Sequence, residues 1–147
     1  MAVRYTTTTN AGSAVHQFRR RGWEKADREL YGPAYDDYDW KERELHIVAR
    51  DGKAVVGYAG LWMAGGVCIL EELIVHDKHR GKGIGRYLIK RVEQVARKQG
   101  CHKIRLETDD RLKPAIALYK SAGFIKEASL PYEGAKGPTA VYGKRLT

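Results

Sequence analysis

Arg80-Gly81-Lys82-Gly83-Ile84-Gly85 lies between the apolar run Leu73-Ile74-Val75 and a helix-patterned segment, Tyr87 to Lys98. Three glycines at alternate positions let a backbone turn tightly and present N–H groups with no side chain in the way. A helix that begins just after them adds its own unpaired N–H groups and the positive end of its dipole. Strand, glycine turn and helix start together make a cradle for phosphate. Taken alone, the stretch reads equally well as a structural strand-to-helix turn. Its spacing excludes two familiar phosphate loops. No Gly-Lys-Ser/Thr completes a Walker loop, and no Gly-x-Gly-x-x-Gly completes a dinucleotide fingerprint.

Working outward, the chain has 147 residues, 43% hydrophobic and 31% charged, which suits one soluble globular domain. No apolar run approaches the roughly 20 residues of a membrane-spanning helix. Met1 to Asn10 is polar and Thr-rich, with no apolar signal core, so a cytoplasmic protein is the default expectation. Cys68 and Cys101 sit in apolar strand-like contexts and read as reduced core residues. Five scattered histidines with no ligand spacing give no reason to expect a metal. The net charge of +9 is local: Lys78 to Arg105 holds ten Lys/Arg against the single acid Glu93. Basicity gathered round the turn suits a bound polyanion better than a nucleic-acid surface, and nucleic acid is not the expected partner. Glu24 to Asp51, by contrast, holds nine acids and five bases.

The pattern along the chain predicts a first strand over Val3–Thr7 and one or two helices over Ala11–Tyr31, interrupted by Gly22 and ended by Gly32-Pro33. Strands follow over Glu44–Arg50 and Ala54–Met63, joined by a turn at Asp51-Gly52, and Gly65-Gly66 turns into Val67–Val75. The helix after the glycine turn places Ile84, Tyr87, Leu88, Val92, Val95 and Ala96 on one face and stops at Gly100. Lys103–Thr108, a short helix Lys113–Ala122, Phe124–Leu130 and Ala140–Leu146 complete the chain. Strand-helix alternation after the hairpins predicts a mixed sheet, with Val67–Val75 parallel to Lys103–Thr108 across the long helix. The glycine turn then falls at the carboxyl end of its strand, the usual ligand edge of such sheets.

Two motifs in this order carry a resemblance to a known family. One is Arg80-x-x-Gly83-x-Gly85 after a strand ending Leu73-Ile74-Val75. The other, some thirty residues on, is Leu118-Tyr119-Lys120-Ser121-Ala122-Gly123-Phe124. Over roughly residues 44 to 146 the chain resembles the GNAT superfamily of acetyl-coenzyme A-dependent N-acetyltransferases. The resemblance implies an α/β (α+β) fold: a mixed, mostly antiparallel twisted sheet of about seven strands with helices on both faces. It implies a single domain over 1–147, with an acceptor-side segment over about 1–43, a cofactor-binding core over about 44–130 and C-terminal strands over about 124–147. Acetyl-CoA would be the co-substrate and an amine the acceptor; no membrane is involved, and the family allows a homodimer. The backbone of Leu73, Ile74 and Val75 would pair with the pantetheine arm as an added strand does. N–H groups of Gly81, Lys82, Gly83, Ile84, Gly85 and Arg86 would hold the pyrophosphate, with charge from Arg80 and Lys82. Leu112 stands where the family often has Asn, which leaves Asp109 or Asp110 to cap the short helix.

The chemistry sets further requirements. A primary alkylamine is only about one part in 2,500 neutral at pH 7, so its deprotonation is worth about 4 to 5 kcal/mol of barrier. A carboxylate near the acceptor meets that need. Leu70-Glu71-Glu72-Leu73 is similar to the matching string of polyamine acetyltransferases, which implies Glu71 as base with Glu72 in reserve. Alternation points the two to opposite faces unless a bulge intervenes. A departing thiolate needs a proton, and the resemblance gives that role to the phenol of Tyr119. Neither cysteine has a histidine placed by sequence to activate it, so direct transfer is expected. Asp36, Asp37, Asp39 and Trp40, with Tyr132, would suit a small cationic amine. A peptide or protein amine and a non-catalytic acyl-CoA-binding module are the alternatives.

Overall fold

The computed structural model describes residues 3–37 and 39–146 in two compact units that divide after residue 38. The first unit is built on helix α1, Gly12–Tyr31, followed by a 3₁₀ segment, Gly32–Asp37. α1 runs through Gly22 without a break, because one glycine in a helix interior costs only about 1 kcal/mol. Arg28 near its end bonds Asp36 at 2.8 Å and stacks 5.2 Å over the Tyr35 ring.

The second unit is a six-stranded sheet with two helices. Its strands are β1 Arg43–Asp51, β2 Ala54–Ala64, β3 Val67–Val75, β4 Lys103–Asp109, β5 Ile125–Glu133 and β6 Gly137–Arg145. They lie in the order β1-β2-β3-β4-β6-β5. Two-residue turns at Gly52-Lys53 and Gly65-Gly66 make β1-β2-β3 an antiparallel meander. Helix α2, Ile84–Lys98, then carries the chain over to β4, parallel to β3, and every other pairing is antiparallel. The mixed, mostly antiparallel expectation holds, with six strands rather than about seven. Val3–Thr7 forms no strand: its two large apolar side chains, Val3 and Tyr5, are exposed and give it nothing to bury.

α2 and helix α3, Lys113–Ser121, pack on the same face of this sheet. Their Ile89, Val92, Ala96, Ile116 and Tyr119 close over Ala59, Leu61, Leu70, Ile104, Leu106 and Tyr142 from the strands. The buried stripe of α2 is Leu88, Ile89, Val92 and Ala96. Tyr87, expected on that stripe, is 62% exposed, since at 100° per residue it lies well round the helix from Val92. Two close approaches fix where the helices start. A Cβ on Gly57 of β2 would sit 2.9 Å from Ile84 and 3.0 Å from Leu88, so the first turn of α2 rests on β2 backbone. A Cβ on Gly85 would sit 3.0 Å from Leu118, so α3 lies against that same first turn.

One polar group ties these elements together. Glu93 on α2 accepts from Lys144 of β6 at 2.7 Å and from Arg97 at 3.0 Å, while Lys144 also bonds the Ala122 carbonyl at 2.8 Å. The two cations, Lys144 first, hold the Glu93 carboxyl below the usual carboxylate range. A depressed carboxylate stabilises the fold above its unfolded-state pKa and loses that contribution as pH falls through its folded value. Glu93→Gln is therefore expected to lower stability by about 1–2 kcal/mol at pH 7, with the deficit shrinking below pH about 4. Urea unfolding of both proteins at the two pH values measures it; an equal deficit at both would contradict this role for Glu93.

Candidate active site

Along β2 and β3, Leu61 pairs with Leu70 but Gly60 pairs with Glu72, so Glu71 is an extra residue. This bulge resets the alternation. Before it Cys68 and Leu70 face the helices; after it Leu73 packs against the same core, and Glu71 and Glu72 are both exposed. The expectation that the two glutamates point to opposite faces gives way for that reason. Pairing with β4 ends at the same point: the parallel ladder runs from Val67–Lys103 to Leu70–Leu106 and stops. Leu73, Ile74 and Val75 keep β2 on one side and, among the described residues, have no strand on the other.

Beyond Val75 the chain makes a single 3₁₀ turn, Asp77–His79, capped by His76 Nδ1, which accepts from the Lys78 N–H at 3.2 Å. Gly81 and Gly83 then adopt φ of +73° and +83°, a left-handed backbone that costs other residues about 1–2 kcal/mol. The first helical bond of α2 runs from the Tyr87 N–H to the Gly83 carbonyl at 3.0 Å. Among the described residues, no carbonyl accepts from the N–H groups of Gly81 to Arg86. Arg80 is engaged locally: its Nε donates to the Val75 carbonyl at 3.2 Å and its Nη2 pairs with Asp77 at 2.8 Å. It staples the turn to the end of β3. Lys82 is exposed.

A cleft of about 850 Å³ joins these parts, lined by Leu73–Val75, the turn from His79 to Arg86, and Leu112, Pro114, Ala115, Leu118 and Tyr119 around α3. Tyr119 is 7% exposed, with its ring against Phe124 at 6.0 Å and Tyr142 at 6.4 Å. Burial pushes the phenol above its ordinary pKa, which keeps it protonated as a proton donor must be. Its hydroxyl has no protein partner among the described residues. Leu112 occupies the N-cap of α3 without a side-chain cap bond. The aspartates expected to cap α3 are used elsewhere. Asp109 accepts from the Arg111 backbone and guanidinium, which takes its carboxyl down to about 2, and Asp110 pairs with Lys126 at 2.9 Å.

The acidic segment is divided between the two units. Asp36 is neutralised by Arg28 and, with exposed Asp37, belongs to the first unit. Asp39 pairs with Arg43, and its carbonyl accepts from Gly65 at 2.9 Å. The Trp40 ring lies within 2.8 Å of a Cβ placed on Gly65. Both are thus held at the β2–β3 turn, about 20 Å along β3 from Leu73–Val75. Tyr132 is 82% exposed on the outer strand β5. Cys68 and Cys101 are buried free thiols, and burial pushes Cys68 up to about 12, so neither offers a thiolate. Sequence reasoning passed over His46 and Tyr58, which hydrogen-bond at 2.9 Å on the sheet face away from α2. The signal lay in the hairpin: an Asp51-Gly52 turn makes them diagonal neighbours.

An N–H cradle at a helix start, a free strand edge and a partnerless phenol fit a ligand with phosphates, an amide-bearing arm and an acyl end. Acetyl-CoA has that chemistry, and the sequence relationships agree with it. Residues 13–124 match the Acetyltransferase (GNAT) family, and the chain belongs to that family. It is 39% identical over 77 residues to a thialysine N-epsilon-acetyltransferase of Bos taurus, covering 49% of this chain and 45% of that protein. It is 33% identical over 95 residues to an L-amino acid N-acyltransferase of Escherichia coli, covering 61% and 55%. The chain thus spans about half the length of these curated relatives. Among solved structures, a Salmonella typhimurium acetyltransferase with its cofactor acetyl-CoA aligns with a TM-score of 0.65 at 26% identity, over 88% of this chain and 73% of that one. A Bacillus cereus acetyltransferase aligns with a TM-score of 0.72 at 18% identity, over 96% and 98%, and shares the fold.

Gly83→Ala tests the cradle. A methyl there meets nothing within 4 Å, so its effect is confined to the backbone angle. CoA affinity is expected to fall about tenfold as the N–H groups turn away, roughly the worth of one hydrogen bond to a charged group. Titration calorimetry with CoA reads this out, and an unchanged affinity would remove the turn from phosphate binding.

Proposed function

We propose that this protein is an acetyl-CoA-dependent N-acetyltransferase that acts by direct transfer on the primary amine of a small cationic acceptor. The observation that carries the reading is Tyr119: a buried, protonated phenol without a protein partner, across a cleft from a free strand edge and a run of unpaired N–H groups. When bound, the cofactor supplies an acetyl group already activated as a thioester. Leu73–Val75 would hold its arm by backbone hydrogen bonds, and Gly81–Arg86 its pyrophosphate. A carboxylate of the bulge, Glu71 or Glu72, takes the proton that the amine sheds, and Tyr119 gives its own to the departing sulfur. A backbone N–H near Ile74 would stabilise the carbonyl oxygen as charge develops there. The Cys68 and Cys101 thiols, buried and protonated, support direct attack over an acyl-enzyme. The names of the thialysine and L-amino acid relatives support an amine of lysine or amino-acid type.

Thiol release from acetyl-CoA, scanned over thialysine, lysine, other amino acids, polyamines, aminoglycosides and short peptides, tests the reading. Turnover with a small cationic amine is expected. CoA binding without turnover on any amine would leave a binding module instead. Tyr119→Phe is expected to lower kcat about 100-fold with CoA affinity retained. An undiminished kcat would take Tyr119 out of the mechanism.

A further inference from the structure

The surplus proton of the reaction needs a way out. A primary ammonium loses two protons on becoming an amide; one equivalent ends on the sulfur by way of Tyr119, and the other must reach solvent. On the sheet face away from α2 and α3, Glu72, Tyr58, His46 and Glu44 form a row across three strands. A Cβ on Gly60 would lie 2.9 Å from the Tyr58 hydroxyl and 3.4 Å from Glu72 Oε2, so the two oxygens border one space and are no more than about 6 Å apart. That span takes at most one bridging water. The Tyr58 hydroxyl bonds His46 Nδ1 at 2.9 Å, with the rings stacked at 5.9 Å, and His46 Nε2 lies 3.8 Å from Glu44. The His46 side chain is 52% exposed, so the row opens to water.

We propose that Glu72 is the carboxylate that takes the amine proton, and that Tyr58 and His46 are positioning residues that relay it to solvent. This rests on the acetyltransferase reading above. Protonated Glu72 passes its proton to the Tyr58 oxygen while Tyr58 passes its own to His46 Nδ1. His46 then releases the Nε2 proton to water beside Glu44, which leaves the Nδ1–H tautomer; exchange of its ring protons with solvent at the exposed imidazole restores the Nε2–H tautomer before the next turnover. Glu72 rather than Glu71 meets Tyr58 because it pairs with Gly60, whereas Glu71 is the unpaired bulge residue. Desolvation pushes the Tyr58 phenol above its ordinary pKa, and the charges of Glu72, Glu44 and Glu71 push it the same way, so it stays protonated as a relay requires. Among the described residues, those carboxylates from β1 and β3, with His46, are the titratable groups that act on it. Gly60 belongs to the device, since any side chain there would fill the space the proton crosses.

Steady-state kinetics of Tyr58→Phe and His46→Gln, on an amine the wild type acetylates, test the relay. Each is expected to lower kcat about tenfold with KM for both substrates within twofold. The double variant should lose no more than either single, because the two act in one chain. Added imidazole should restore much of the rate to Tyr58→Phe without accelerating wild type. Glu72→Gln should lower kcat further than Glu71→Gln. The relay is overturned by an unchanged kcat in both relay variants, by the reverse order of the glutamates, or by failure of imidazole rescue. A raised KM for the amine with kcat kept would overturn it in favour of a cation-binding role. If wild type turns over no amine at all, the acetyltransferase reading fails and the relay with it; wild-type turnover with unaffected variants overturns the relay alone.

Discussion

Every part of the candidate site depends on the place where β3 and β4 part. Parallel strands normally continue to pair as long as both last, since an unpaired backbone group away from water costs about 1–3 kcal/mol. Here the pairing ends at Leu70–Leu106, although β3 runs on to Val75 and β4 to Asp109. The extra residue at Glu71 increases the local twist and turns the rest of β3 away. What opens is a wedge with strand backbone along one wall and α3 along the other. Its backbone groups are left to water and to whatever ligand lies along it.

The same bulge sets which side chains face each way. Because it shifts the phase by one residue, Leu73 still packs on the core while two consecutive carboxylates stay solvated beside the end of the wedge. Across the wedge, Tyr119 is anchored by Phe124 and Tyr142, so its hydroxyl position is set by core packing rather than by a loop. Close contacts through Gly57 and Gly85 set α2 and α3 against this opening, which places the N–H cradle at its mouth. Tyr119 in the wall of the cleft and the two carboxylates just before Leu73 thus sit on rigid elements.

Much of this was legible in the sequence because it is local. The hairpin turns, the β3–α2–β4 crossover, the cradle and the helix carrying Tyr119 all follow from glycine placement and apolar spacing. The bulge was not, since an alternation argument cannot see one added residue; its trace is the shift of apolar positions from Cys68 and Leu70 to Leu73 and Val75. Charge reasoning could not see local pairing. Arg80, expected to add charge at the phosphates, lines the cleft while bonded to Asp77 and Val75, and Asp39, expected on the acceptor side, is paired with Arg43. The His46–Tyr58 contact needs the β1–β2 register, which composition does not give.

The central claim is that the unpaired edge of β3 and the glycine turn hold the two parts of one ligand. Amide hydrogen exchange across Leu73–Val75 and Gly81–Arg86, with and without saturating CoA, tests it most directly. The expected result is slowing of more than about tenfold in both segments together, as cofactor hydrogen bonds replace those to water. Slowing confined to the glycine turn, or absent from both, would contradict the account.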